Sequence, residues 1–381
     1  FALNKAKGIR KGDVVFLQVP ECAKPLLVSL RRAVLKAGAH PIVQYLPEGL
    51  SKEFYELANE KQLKFFPAKY LKGKIEQADH FLSIIATDDK KELEKVDPRK
   101  IMTRVKSIKP YSEWRDEKEN RGKFSWTLAL YGTGAMAKEA KLSLKQYWDQ
   151  IIRACYLNLR DPVKKWKQVD KEIKRVLGQL NRLKIEKVHV ESKNIDLIVG
   201  LGKNREWIGG RGCNIPSFEV FISPDCRLTE GKIRFNQPLY RYGTLVDDIY
   251  LEFKNGKVVK CSAGKGEKVI KEMIAVKNAN QIGEFSLTDS RLSKITKFMG
   301  ETLYDENVGG KYGNTHIALG KAYKDCYPGD SSKVSKAKWK AMGYNESAVH
   351  TDMVSTEDRK VTAFLKNGKE KVIYDKGKFL V

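Results

Sequence analysis

Long apolar runs are missing from this chain. Segments such as DLIVGLG and VVFLQVP stop well short of the roughly 18 residues a membrane helix needs, so a membrane protein is not expected. Paired cysteines are missing too. Cys22, Cys155, Cys213, Cys226, Cys261 and Cys326 are scattered with no CxxC spacing. That argues against a zinc ribbon or a thioredoxin-type site and fits a reducing, cytoplasmic setting with the cysteines as packing residues. No basic-then-apolar leader with a small-residue cleavage site opens the sequence, so a secreted precursor is not expected. Internal repeats and low-complexity segments are also lacking.

What is present is globular. The 381 residues are 41% hydrophobic and 31% charged, and the length points to two domains. Lysine and arginine number 72 against 47 acidic residues, a formal charge of +25. An excess of that size raises nucleic acid as a partner. Against it, most of the excess is lysine rather than the arginine fork that favours phosphate and base contacts. The charges also run along the whole chain with acids interleaved, as in DDKKELEKVDPRK and KKWKQVDKEIKR. A solvated lysine-rich surface is the plainer reading, with steering of anionic ligands as the remaining possibility.

The pattern along the chain predicts an N-terminal Rossmann-like α/β domain over 1–183. DVVFLQV (13–19), a helical-period stretch over 21–39 closing on Gly38, and PIVQYL (41–46) read as a β-α-β unit. HFLSIIAT (80–87), KIMTRV (100–105) and FSWTLALYG (124–132) are further strand candidates, and the alternation implies a parallel sheet flanked by helices. LYGTGAMA superficially resembles a dinucleotide fingerprint, but Ala137 replaces its third glycine and no acidic residue ends a following strand at the right distance. A tight strand-to-helix turn explains the glycines. Residues 143–183 read as helical with a break at Asp161-Pro162. Beyond that the texture turns β-rich, with Asn255-Gly256 and Asn367-Gly368 as hairpin signals. A β-rich mixed α+β domain is therefore expected over 184–381.

Histidine, present only five times, is the informative residue type. His40, His80 and His189 read as structural. His350 and Asp352 are different: if HTDMV is extended, both point to one side of a sheet and converge as a metal requires. His316 and Tyr323 stand seven apart in HIALGKAY, which on an α-helix would put them on one face. Glu219 in NIPSFEVFISP and Glu284 in QIGEFSL sit among apolar neighbours. A carboxylate there must be paired, protonated or bound to a cation. Glu306, in LYDENVGG, is also consistent with ordinary loop chemistry. Together Glu219, Glu284, His316, Tyr323, His350 and Asp352 offer two nitrogen and four oxygen donors. The set suits two divalent ions sharing a carboxylate and a water; it is too oxygen-rich for structural zinc and too nitrogen-containing for calcium.

NIPSFEVFISPD, IGEFSLTDSR, ETLYDEN, HIALGKAY and NESAVHTDMV, in this order and approximate spacing, resemble the thermophilic metalloprotease-like aminopeptidases, the family of aminopeptidases T and S. The opening KGDVVFLQVP…LLVSLRRAVLKAGAHP is similar to that family's first β-α-β unit. Two departures stand out. Ser217-Phe218 replaces the usual Thr-Gly before the first glutamate, and VGGKYGNT lengthens the stretch between DEN and His316.

The resemblance implies a metalloaminopeptidase that cleaves the first residue from peptides with a free N-terminus. Two divalent ions (Zn, Co or Mn) would be held by Glu219, Glu284, His316, Tyr323, His350 and Asp352. Glu284 would also act as general base, and Tyr323 would be a ligand or would orient the tetrahedral intermediate. A homodimer with enclosed active sites is implied as well. A basic nucleic-acid-binding protein and a dinuclear phosphoesterase are the rival readings.

Overall fold

A computed structural model describes residues 8–210 and 212–381, and all spatial statements refer to these. The start of the chain, where the sequence shows no leader pattern, lies outside the described residues. The chain divides into two compact units. One runs up to Cys155 and takes in the segment ending at Ser217; the other comprises Tyr156–Gly210 and Phe218–Val381. The boundary expected at 183 falls one helix later than this division. That helix, Pro162–Arg182, buries Val169, Ile173, Val176 and Leu180 along one stripe. Its Asn181 side chain both donates to the Trp207 carbonyl (3.0 Å) and accepts from the Trp207 amide (2.8 Å), tying the helix to the second unit. Asp161 caps it by accepting from the Lys164 amide, so the predicted Asp-Pro break is a helix start.

The first unit is built on a five-stranded parallel sheet. Its order is His40–Leu46, Val14–Pro20, His80–Ile85, Ser125–Leu130 and Asn214–Ile215. Val15, Leu17 and Val19 point to one face against Leu27 and Val34 of the helix Lys24–Lys36, and Phe16 points to the other with Phe81 and Phe124. Each such buried side chain contributes roughly 1.5–3 kcal/mol. KIMTRV, expected to be a strand, instead lies within the helix Pro98–Ser107. Asp97 caps that helix and Pro98 begins it, and this start signal outweighs the β-branched run. The turn at LYGTGAMA joins a strand to the short helix Gly134–Glu139, capped by Thr133.

The second unit is β-rich, as expected. An eight-stranded antiparallel sheet includes the hairpin Tyr250–Lys254/Lys257–Ser262. Asn255 and Gly256 both have positive φ (50° and 73°), the backbone that a two-residue hairpin turn demands. A second, five-stranded antiparallel sheet has the order His350–Ser355, Asn314–Gly320, Ile282–Thr288, Glu219–Ile222 and Ile208–Gly209. HIALGKAY was expected to be helical, and here the structure corrects the reading. Residues 314–320 form a strand buried along its whole length. A short apolar run carries no period that separates a buried strand from a helix, and pairing on both edges decides the matter.

One charged group lies in the apolar layer of the first unit. Lys74 is almost fully buried, its Nζ 4.9 Å from the Phe81 ring centroid and 5.5 Å from that of Phe16, with Gln44 Oε1 as hydrogen-bond partner. Burial pushes its ammonium down to about 8 from 10.5. Between those values the unfolded chain binds more protons than the folded one, so stability rises with pH across the window. Denaturant unfolding on either side of it should show this rise in the wild type and a smaller one in Lys74→Met. Equal slopes would show that the lysine does not titrate abnormally.

Candidate metal centre

Side chains alternate along a strand, and directly paired residues of antiparallel strands face the same side. These two rules place the site. Glu284 pairs with Ala318, which pairs with Asp352; Ser286 pairs with His316; Thr288 pairs with Glu219; and Gly320 pairs with His350. Glu219, Glu284, His316, His350 and Asp352 therefore project from one face of the five-stranded sheet.

Their polar atoms form two groups that could each hold a metal ion: Glu219, Glu284 and His316, and Glu284, His350 and Asp352. Glu284 belongs to both. Its Oε1 lies 3.2 Å from His316 Nε2, and its Oε2 lies 3.7 Å from His350 Nε2. Glu219 Oε2 is 3.4 Å from His316 Nε2, and Asp352 Oδ1 is 3.4 Å from His350 Nε2. Each imidazole is oriented from behind. His316 Nδ1 donates to the Glu306 carbonyl (3.1 Å) and His350 Nδ1 to the Lys321 carbonyl (2.8 Å). That fixes the tautomer that leaves Nε2 free to accept a cation, the usual support of a metal-binding histidine.

A β-bulge aims the shared glutamate. The register shifts between Ile282 and Glu284, so Gly283 is the extra residue. A Cβ at Gly283 would strike the carbonyls of Gly320 and Lys321. The missing side chain thus makes room for the same Lys321 carbonyl that holds His350.

The electrostatics call for a cation. Glu306 was ambiguous in sequence, but its carboxyl is buried close enough to Asp352, Glu219 and Glu284 to feel their charge. Four carboxylates then face two imidazoles. Burial, with Glu219 and Asp352 nearby, pushes Glu284 up to about 7, although His316 opposes the shift. Glu306 is pushed well above the usual range by burial and the same neighbours. Burial disfavours charge on both histidines, but the carboxylates outweigh it and raise both. Burial would raise Asp352 as well, yet His350, His316 and Arg241 hold it below its usual value. Without metal, protons fill the place of positive charge. Ligands of this kind release protons when a divalent ion binds. The Ser286 hydroxyl, on the donor face beside His316, is buried with no hydrogen-bond partner among the described residues. It is an orphan that an occupant of the site would satisfy.

Tyr323 comes to the site by a route other than the helical one expected. It follows the strand end at Gly320, and its ring lies between His350 (centroids 4.8 Å apart) and Phe221 (5.8 Å). Burial, and then the carboxylates of Glu284, Asp352, Glu306 and Glu219, keep its phenol protonated. His40, His80 and His189 stand outside the cluster; His80 bonds Ser125 and Asp13, and His189 bonds Asp196. Neither sequence departure disturbs the donors. The Phe218 ring stacks on Trp166 (5.2 Å) within an aromatic group that includes Tyr156. The lengthened VGGKYGNT segment still leaves the Glu306 carbonyl bonded to His316. Sequence reading gave no sign of the backbone carbonyls of Glu306 and Lys321, because any residue type can supply one.

The bulge carries a test. Gly283→Ala should displace the Lys321 carbonyl and weaken divalent-metal binding by roughly tenfold or more in calorimetric titration, with an unchanged circular dichroism spectrum. Undiminished affinity would mean that this carbonyl does not set the His350 ring.

Comparison with known proteins agrees with this geometry. The family described as "Thermophilic metalloprotease (M29)" matches residues 1–379. Aminopeptidase T of Thermus thermophilus is 27% identical over 406 aligned positions, covering 100% of this chain and 97% of the relative. Aminopeptidase 2 of Geobacillus stearothermophilus is 27% identical, covering 99% of this chain and 95% of that protein. The solved structure of wild-type AmpT from Thermus thermophilus superposes with a TM-score of 0.83 at 26% identity, covering 100% of this chain and 96% of that one. A match along nearly the whole length, together with a face of carboxylates and imidazoles suited to metal, places this chain in the thermophilic metalloprotease (M29) family of peptide hydrolases.

Proposed function

We propose that the protein is a metal-dependent aminopeptidase that removes the first residue from peptides with a free N-terminus, using two divalent ions bound side by side. The observation that carries this reading is the position of Glu284, one oxygen toward each imidazole and a member of both donor groups. Glu219 and His316 would hold one ion and His350 and Asp352 the other, with Glu284 reaching both. The nitrogen and oxygen mixture suits Zn, Co or Mn. When bound, such ions supply Lewis acidity toward the scissile carbonyl and bring the pKa of a water near 7.

The chain's own groups supply the remaining steps. Glu284 takes the proton from the attacking water and passes it to the leaving amine. Tyr323, held as a neutral phenol against His350, donates a hydrogen bond to the oxyanion that develops on the carbonyl. A carboxylate of the same cluster receives the substrate's α-ammonium, which confines cleavage to the first peptide bond. Tyr323 as a metal ligand is the alternative role, in which a bound divalent ion would favour its phenolate form.

The six cysteines are free and no helix among the described residues is long and apolar enough to cross a membrane, which supports a reducing, cytoplasmic setting. A homodimer, with 1–183 and 184–381 as the two domains of each subunit, completes the proposal. All the proposed ligands lie after 184. A nucleic-acid-binding role would give the buried donor face no task, and assaying phosphodiesters beside peptides tests the phosphoesterase reading.

Three outcomes are expected. Elemental analysis of gently purified protein should find two divalent ions per chain. A chelator should abolish hydrolysis of aminoacyl substrates and Zn, Co or Mn should restore it, with phosphodiesters untouched; activity persisting in excess chelator would remove metal from the mechanism. Glu284→Gln should fold normally and lower kcat by about a hundredfold or more, and a mild loss would reassign the general base.

A further inference from the structure

The segment that carries Tyr323 leaves the end of the strand Asn314–Gly320 and crosses the end of Ile282–Thr288 to reach the end of Glu219–Ile222. After the strand ends at Gly320, the Lys321 amide donates to the Val349 carbonyl (2.7 Å) and the Ala322 amide to the Asn345 carbonyl (2.9 Å). The chain then passes over Gly283, where a Cβ would strike it. At Tyr323 the backbone amide finds no carbonyl partner and donates to the Ser223 side chain, with 2.8 Å from N to Oγ. Ser223 follows the strand Glu219–Ile222 and is fully buried. It is itself clamped: its amide donates to Cys326 Sγ (3.2 Å), and its carbonyl accepts from Arg205 Nε (2.6 Å).

We propose that Ser223 is a positioning residue for the reaction, its hydroxyl fixing the backbone of Tyr323 so that the phenol meets the developing oxyanion. The claim rests on the reading of Tyr323 given above. Besides the backbone bonds of Lys321 and Ala322, the crossing rests on Gly283 beneath and Ser223 at its far end, and the Cys326 amide donates to the Tyr323 carbonyl (3.3 Å). Among these, Ser223 is the side chain that bonds the Tyr323 backbone. A tyrosine ring lies several bonds from its backbone, so a small rotation at the amide displaces the hydroxyl by more than hydrogen-bond tolerance. Apart from this bond and that of the Cys326 amide to the Tyr323 carbonyl, the Phe221 and His350 rings flank the tyrosine without fixing how far its hydroxyl extends.

The test uses the metal-loaded full chain and leucine p-nitroanilide, with kcat and KM measured for Ser223 variants in both the wild-type and Tyr323→Phe backgrounds. Ser223→Ala should lower kcat about tenfold, the scale of one lost hydrogen bond, with KM changed less than about twofold and metal content unchanged. Ser223→Thr, which keeps the hydroxyl, should hold kcat within about threefold of wild type; Ser223→Val, its isostere without one, should behave as Ser223→Ala. The Thr/Val pair decides the matter if the alanine variant folds poorly. In Tyr323→Phe, Ser223→Ala should cost less than about twofold more, because the group it positions is gone. An equal loss in both backgrounds, or equal rates for Thr and Val, would overturn the positioning role while leaving Tyr323 in the mechanism. If Tyr323→Phe alone leaves kcat unchanged, the reading of Tyr323 falls and the role of Ser223 falls with it.

Discussion

Three carboxylates and two imidazoles on one buried sheet face, with the carboxyl of Glu306 brought up beside them from a helix end, are first of all a charge problem. Taking a carboxylate out of water costs several kcal/mol unless something positive or protic faces it. Here Glu219, Glu284, Glu306 and Asp352 outnumber His316 and His350, so the imidazoles cannot balance them. Protons make up the difference in the metal-free state, as the raised Glu284 and Glu306 indicate. Divalent cations do so in a form that can polarise a substrate. The fold tolerates the cluster because a neutralising partner is part of its ordinary state.

Holding that cluster falls largely to the backbone. The two histidines take their orientation from main-chain carbonyls at Glu306 and Lys321, and the shared glutamate takes its aim from a bulge at Gly283. The strands Ile282–Thr288 and Asn314–Gly320 are buried along their whole lengths. A rotamer change in a ligand would therefore have to displace packed neighbours. Rigid strands hold donors to tighter tolerances than loops do. Tyr323 is the exception, reached by a loop that needs its own fastening at Ser223.

The chain's net charge of +25 contrasts with this acidic interior. Several surface lysines pair with acids one helical turn away, as in Lys52–Glu56, Lys109–Glu113 and Lys145–Asp149. Such pairs contribute little to stability. Lys74, deeply buried and with its pKa lowered to about 8, lies in the aromatic layer of the first unit.

The sequence by itself determined the alternating α/β first half, the β-rich second half, the Asn-Gly hairpin, and two glutamates, Glu219 and Glu284, whose charge amid apolar neighbours demanded a partner. Those features are local: they depend on period, on turn chemistry, or on the cost of burying charge. The helix over 100–105 follows from a local start signal at Asp97-Pro98, whereas tertiary structure alone decided that 314–320 is extended, since pairing on both edges overrides a short run's own preference. It alone also brought Glu306 to the donors and set Glu284 between two histidines. Strand register across distant segments is a property of the assembled sheet, and a carbonyl that orients a histidine leaves no mark in residue identity.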